Sequence, residues 1–247
     1  MLSSGQVSAF WRDGYLAVPG VVASAALDAL RRAVDHCLDG RSRPDLRADL
    51  EDYYVMWDTN AEEQERRSRI RVMMHLCHTR SEFRSRALDP FVVTAVQRLV
   101  GERVAVFTDL LFNKPPFCGR EVALHQDHAY YRFIDPPPLV TCWLALDDAD
   151  GSNGCLEFLP GSHGRLLDHR TTGKQQAYEI DPVDLQGASL QAVPLRAGGV
   201  IFHHSLVVHR SAENESARER RGLATLYVPT SACIEVGAFP FAPLATA

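Results

Sequence analysis

Residues 124–133 read LHQDHAYYRF, and the histidine and aspartate two positions apart are the residues with chemical potential. In an extended strand alternate side chains share a face, so His125 and Asp127 project together while Gln126 projects away. An imidazole and a carboxylate on one face can hold a metal. They are equally compatible with a solvated pair on a strand edge, and the triplet alone does not choose. A metal site would need a third ligand from a distant strand, and the stretch HHSLVVHRSAEN offers His203, His204 and His209. Two neutral imidazoles and one carboxylate on one side of an ion leave open positions opposite, the arrangement associated with non-haem Fe(II) that also binds dioxygen and a co-substrate. A structural zinc is more often closed by four ligands, frequently thiolates. The six cysteines (37, 77, 118, 142, 155 and 233) are scattered and form no CxxC pair.

The elements that must position these residues follow from pattern. Ser4 to Asp13 reads as a short helix stopped by Gly14, and YLAV before Pro19-Gly20 as a strand entering a turn. Ser24 is expected to cap a helix with Leu27, Leu30, Val34 and Leu38 at helical spacing and Gly40 at its end. A further helix starts at Asp89-Pro90, turns Phe91, Val92, Val96 and Leu99 inward and stops at Gly101. From there VAVFTDLLF, LHQDHAYYRF, LVTCWLALDD, CLEFLP, GGVIFHHSLVV and GLATLYVPT are short β-branched or aromatic runs between turn signals. Strands in series after helices predict a β-rich α+β chain built on a sandwich or barrel. Two long stretches lack a regular pattern, 41–70 (containing DYYVMWD) and about 164–191, and such stretches are often flaps over a pocket.

With 247 residues, 46% hydrophobic and 23% charged, the chain reads as one domain with a sizeable core. We expect residues 1–101 to be a mainly helical flanking region and 102–247 the barrel, with 164–191 inserted. The formal charge of −5 and a pI near 6.0 provide no basic field for nucleic acid. No stretch approaches the ~20 apolar residues of a membrane span, and the N-terminus lacks a leader pattern. A reducing cytoplasm is the expected setting, with Cys142 and Cys155 as buried free thiols. No motif bears on oligomeric state.

Four segments resemble the phytanoyl-CoA dioxygenase-like (PhyH) family of Fe(II)/2-oxoglutarate oxygenases: NKPP at 113–116, LHQDHAYY at 124–131, TCWLALDDADGSNGCLEFLPGSH at 141–163, and GVIFHHSLVVHRSAEN running into RERR at 218–221. The opening FWRDGYLAVPGVV resembles the family's N-terminal helix and strand. The resemblance implies a double-stranded β-helix (jelly-roll, cupin-like) fold. It matches His125, Asp127 and His209 to the iron ligands, with His204 as the alternative distal histidine. The family's arginine for the distal carboxylate of 2-oxoglutarate matches Arg220; Arg218 shares its strand parity and competes, while Arg221 would point the other way. An arginine suits that task because its planar fork grips both carboxylate oxygens. Trp143 matches a tryptophan lining the co-substrate pocket and Ser211 a hydroxyl reaching the carboxylate; Thr141, on the face of Trp143, is a further hydroxyl. An upstream lysine used by part of the family has only Arg71 at the loosely corresponding place.

Lys114 in NKPP reads as structural, His163 as ordering a turn, and His75 and His78 as alternating residues of a strand or loop. His128, Tyr130, Tyr131 and Phe133 follow the metal motif and are the candidates for lining the substrate pocket. The resemblance implies oxidative decarboxylation of 2-oxoglutarate to succinate and carbon dioxide, coupled through Fe(II) and O2 to hydroxylation of an unactivated carbon. Halogenating relatives replace the carboxylate with a small residue, whereas Asp127 is retained; desaturation, cyclisation and epimerisation use the same ligands. A small or specialised metabolite is the expected substrate, since neither irregular stretch offers a convincing site for a CoA phosphate. Two other classes fit the ligands alone: a jelly-roll that binds metal or metabolite without turnover, and a zinc hydrolase.

Overall fold

The computed structural model describes residues 1–40, 55–57, 70–135, 138–172, 177–185 and 187–246. Helix α1 (Ser4–Asp13) opens on a capping box, with Ser3 Oγ accepting from Gln6 N–H and Gln6 Oε1 from Ser3 N–H, and ends at Gly14 with φ 83°. Strand β1 (Tyr15–Val18) follows, then α2 (Ser24–Leu38). Ser24 is not the cap expected of it: it is the first helical residue, Ala23 stands at the cap, and no side chain closes that end. The helix is held by its buried face of Leu27, Leu30, Val34 and Leu38.

Next come β2 (Val55–Trp57), β3 (Ile70–Met74), α3 (Leu76–Thr79), α4 (Ser81–Ala87) and α5 (Pro90–Val100). Asp89 caps α5 by accepting from the Phe91 and Val92 amides, with Pro90 in its first turn, and Gly101 ends it. Of the expected flap at 41–70, β2 pairs with β3; the remainder up to residue 69 lies outside the described residues.

The strands that build the barrel are β4 (Val104–Lys114), β5 (Val122–His125), β6 (Ile134–Asp135), β7 (Val140–Ala145) and β8 (Leu156–Phe158). They continue with β9 (Arg170–Thr172), β10 (Ala177–Glu179), β11 (Gln191–Val193), β12 (Val200–His204), β13 (His209–Ser211), β14 (Arg220–Pro229), β15 (Cys233–Ile234) and β16 (Leu244–Ala245). The large sheet runs β1-β12-β7-β14-β4-β3-β2, with β16 also on β4, and the smaller one β11-β8-β13-β5. All of these pairings are antiparallel, giving the expected double-stranded β-helix of a β-rich α+β chain. The 164–191 stretch is less irregular than its sequence suggests, because β9 and β10 pair within it.

Both faces of the large sheet are covered, which is why β7 is buried throughout. Val140, Cys142 and Leu144 pack outward with Leu27, Val34, Val92 and Val96 of the helices. Trp143 and Ala145 turn inward with Phe158, Ile201, Ala224 and Leu226. Period-two alternation thus separates a helix-facing core from the barrel interior. Arg221, on the outward parity of β14, joins Asp147 at 2.8 Å and Asp35 of α2 at 2.6 Å, tying the helical layer to the barrel. No disulfide joins any of the six cysteines, and Cys142 and Cys155 are among the buried ones. Among the described residues no helix is long and apolar enough to cross a membrane.

Candidate metal and co-substrate site

Strand β5 ends at His125, Gln126 remains extended (φ −118°, ψ 131°), and Asp127 begins a 3-10 turn. One extended residue between them is enough to keep the two side chains on one side. His209 opens β13 in direct antiparallel register with His125, and the two rings are 4.3 Å apart. One ligand atom from each of His125, Asp127 and His209 lies within 4.8 Å of the others.

Hydrogen bonds decide which atoms are presented. His125 Nδ1 lies 2.7 Å from Ala123 O and His209 Nδ1 3.0 Å from Val207 O. A carbonyl only accepts, so each Nδ1 carries the hydrogen and each Nε2 presents a lone pair. Asp127 is sorted in the same way. Thr141 Oγ1 donates to its Oδ2 at 2.9 Å and His203 Nε2 stands 3.0 Å from the same oxygen. Oδ1 is left facing His125 Nε2 at 3.4 Å and His209 Nε2 at 3.6 Å. Burial opposes the Asp127 charge, but His209, His125 and His203 together outweigh it and hold the carboxyl well below its usual range. Burial, with His125 nearby, pulls His209 down to about 3. A charged carboxylate and a neutral imidazole are the forms a divalent ion binds.

The other histidines lie elsewhere. His204 points outward, its ring 5.8 Å from Trp11 and 5.1 Å from His163, with its Nδ1 accepting from Leu206 N–H. His163 Nε2 sits 3.1 Å from Trp11 O, against the α1 turn. His75 and His78 are not on a regular strand: His75 has φ 64° and its Nδ1 lies 2.6 Å from Thr108 Oγ1, while His78 lies in α3 and stacks on Phe241 at 4.4 Å. Sequence reasoning missed the contact of His203 with Asp127; the shared parity of His203 and His209 was the available signal.

On the inward parity of β14, Arg220 is 1% exposed, and its guanidinium lies 5.6 Å over the Trp143 ring. One terminal nitrogen donates to Gly154 O at 2.6 Å, whereas Nε is buried without a partner. Burial lowers Arg220 only to about 10, so it is a cation at neutral pH. A buried guanidinium with an unused donor and no ion pair among the described residues is a receptor for an anion. Arg218 is at the surface, paired with Asp150 at 2.6 Å. Ser211 is buried on β13; its carbonyl accepts from Lys114 Nζ at 3.1 Å, as does that of Ala212. Burial, with Arg220 and Arg71 nearby, brings Lys114 down to about 6. Arg71 donates to Glu121 O. Thr141 departs from the expectation of a hydroxyl for the co-substrate, since its hydrogen goes to Asp127.

The residues after the metal motif divide. Tyr130 meets the His125 ring edge-on at 5.8 Å and accepts from Tyr178 N–H of β10, bringing the 164–191 stretch beside the site. Gln126 fastens the same stretch through Arg165 O and Leu167 N–H. Tyr131 and Phe133 pack in the barrel interior around Phe107. His128 is buried beneath Ser205, whose carbonyl binds its amide, and its Nδ1 has no partner.

The family model described as "Phytanoyl-CoA dioxygenase (PhyH)" matches residues 10–222. Phytanoyl-CoA dioxygenase 1 of Oryza sativa is 34% identical over 134 residues, covering 53% of the chain and 47% of the rice protein. The peroxisomal phytanoyl-CoA dioxygenase of Bos taurus is 30% identical over 144 residues, covering 55% and 42%. The chain thus spans about half the length of these relatives. Phytanoyl-CoA dioxygenase domain-containing protein 1 of Bos taurus is 26% identical with 99% of both chains covered. Among solved structures, EctD from S. alaskensis in its apoform superposes with a TM-score of 0.79 at 22% identity, covering 99% of this chain and 84% of that one. The non-heme alpha ketoglutarate dependent carbocyclase SnoK from nogalamycin biosynthesis gives 0.73 at 24%, covering 100% and 93%. With 10–222 matched, the chain belongs to the phytanoyl-CoA dioxygenase (PhyH) family.

Proposed function

We propose that the chain is a non-haem Fe(II)/2-oxoglutarate-dependent dioxygenase that hydroxylates an unactivated C–H bond of a small metabolite. The observation that carries this reading is the pairing of a three-ligand cluster with a buried, incompletely satisfied cation on the same barrel interior. His125 Nε2, His209 Nε2 and Asp127 Oδ1 would hold the iron; Arg220 would hold the distal carboxylate of 2-oxoglutarate, with Trp143 as the wall beneath it and Ser211 beside it. The bound iron would let dioxygen serve as the oxidant: one oxygen atom would go to 2-oxoglutarate, which would leave as succinate and carbon dioxide, and the other to the C–H bond of the substrate.

The protein's part is positional. Thr141 and His203 keep Asp127 Oδ2 occupied, so that the carboxylate offers a single oxygen. Trp143 and the buried strands around it exclude water from the guanidinium, which strengthens its hold on an anion. No side chain has to act as a general base. The aspartate supports hydroxylation over halogenation, because it fills the position a halide would need. A zinc hydrolase has no use for the unused Arg220 donor, and succinate release separates turnover from binding alone. The expected setting remains a reducing cytoplasm, in keeping with six cysteines outside any disulfide.

The test is 2-oxoglutarate turnover, followed as succinate release. Arg220→Ala should raise the co-substrate requirement by about tenfold or more, as expected for loss of a charge-assisted pair, while Arg218→Ala should leave it unchanged. An unchanged requirement in Arg220→Ala would overturn the assignment.

A further inference from the structure

The barrel interior has an open wall. On β4 the outward Leu111 and Asn113 are buried, yet the inward Leu110 and Phe112 are only half-buried. They pair with Ala224 and Gly222 of β14, and Gly222 lies directly against the Trp143 indole. The wall therefore continues from the Arg220 end toward Tyr131, Phe133 and Phe107. Its far side comes from the segment after β15. Phe239 packs 4.2 Å from Phe107 and 6.5 Å from Phe133, roughly parallel to the latter. Tyr131 is edge-on to Phe107 at 5.5 Å, and burial and the charge of Asp127 both raise its phenol, which puts it within the field of the metal motif.

The side chains named along this wall, Leu110, Phe112, Phe107, Tyr131, Phe133 and Phe239, are apolar or aromatic, with Arg220 at its co-substrate end and Asp127 toward the metal motif. Polar groups beside it include the Tyr131 phenol and the His75–Thr108 pair, with His75 edge-on to Phe239 at 4.9 Å. Burial brings His75 down to about 3, so this edge is also uncharged. Away from the Arg220 end, a carboxylate or phosphate would be desolvated with no counter-charge among these side chains, whereas a flat ring gains edge and face contacts. Phe239 lies beyond residues 10–222, the part matched by the family model.

We propose that this wall is the substrate subsite, that it takes an uncharged, flat, ring-bearing small molecule carrying an oxygen acceptor for Tyr131, and that Phe239 determines its specificity. The proposal rests on reading His125, Asp127 and His209 as the iron site, since the wall has meaning as a substrate site only beside it.

Flavone, flat and neutral with one carbonyl, serves as the probe; naphthalene, hexadecanoate and decanoyl-CoA are comparators. Binding is read from quenching of tryptophan fluorescence, in the iron-free protein and in the anaerobic Fe(II)/2-oxoglutarate complex. Flavone should bind the wild type, and about tenfold more weakly to Phe239→Ala, with Phe239→Leu intermediate. Tyr131→Phe should weaken flavone and leave naphthalene unchanged. No flavone binding, equal binding in the Phe239 variants, or tighter Phe239-dependent binding of hexadecanoate or decanoyl-CoA would overturn the proposal. The visible charge-transfer band of the Fe(II)/2-oxoglutarate complex separates the two readings. If it forms and flavone fails, only the subsite is wrong; if it does not form, the iron reading fails and the iron-free titration decides the wall.

Discussion

His209 stands directly opposite His125 in the antiparallel pairing of β13 with β5, with the two rings 4.3 Å apart. The register of two short strands thus fixes the spacing of the imidazoles, and the carbonyls of Ala123 and Val207 fix which nitrogen each presents. Asp127 needs separate control because it lies past the end of β5, in a turn. That control comes from Thr141 and His203, which approach from the other sheet.

Removing that control should loosen the metal. His203→Phe and Thr141→Val each take one partner from Asp127 Oδ2, and loss of such an outer contact typically costs about 10- to 100-fold in metal affinity. Competition against a chromophoric chelator measures it. Fe(II) affinity equal to wild type in both variants would mean that Asp127 is oriented by something else.

Gly222 tests the Trp143 wall. An added Cβ would lie 2.3 Å from the Trp143 ring, held in place by the buried sheet. Gly222→Ala should lower stability by about 1–3 kcal/mol, the usual cost of overpacking, and raise the 2-oxoglutarate requirement by displacing the indole beneath Arg220. Gly151→Ala, whose Cβ meets nothing within 4 Å, is the control. Urea midpoints and succinate release report the two effects.

The pH dependence of stability in chelator has a definite sign. Burial lowers His75 and His204 from 6.5 to about 3, so between those values the unfolded chain holds more protons than the folded one. Stability therefore falls as pH drops from about 6.5 toward 3. Asp109 works the other way, since burial raises it from 3.8 to about 6 and its stabilisation is lost as pH rises through that interval. These two histidines, with His209 lowered in the same way in the metal-free protein, act over a wider span and outweigh it, so the net acid limb descends. His75→Gln should flatten that limb in urea titrations; an unchanged slope would remove His75 from the account.

Much of this was legible in the sequence because it obeys local periodicity. The β7 alternation of Cys142 and Leu144 against Trp143 follows from a period of two, and α5 from Asp89-Pro90 and Gly101. What was not legible depends on strands meeting in space. Parity leaves Arg218 and Arg220 equivalent; they separate because β14 starts at Arg220, while Arg218 lies before it, against Asp150. Thr141 shares the face of Trp143 as expected, but only the approach of Asp127 from the β5 end decides where its hydrogen goes. Ser24 fails as a cap because a cap is a local geometry, and that helix is held by its buried face.

The most direct test is anaerobic titration of the purified protein with Fe(II) and then 2-oxoglutarate, followed by visible absorption, in wild type and in His125→Ala, Asp127→Ala and His209→Ala. A single-equivalent charge-transfer band in wild type, lost in all three variants, is the predicted result. A full band in His209→Ala, or none in the wild type, would contradict it.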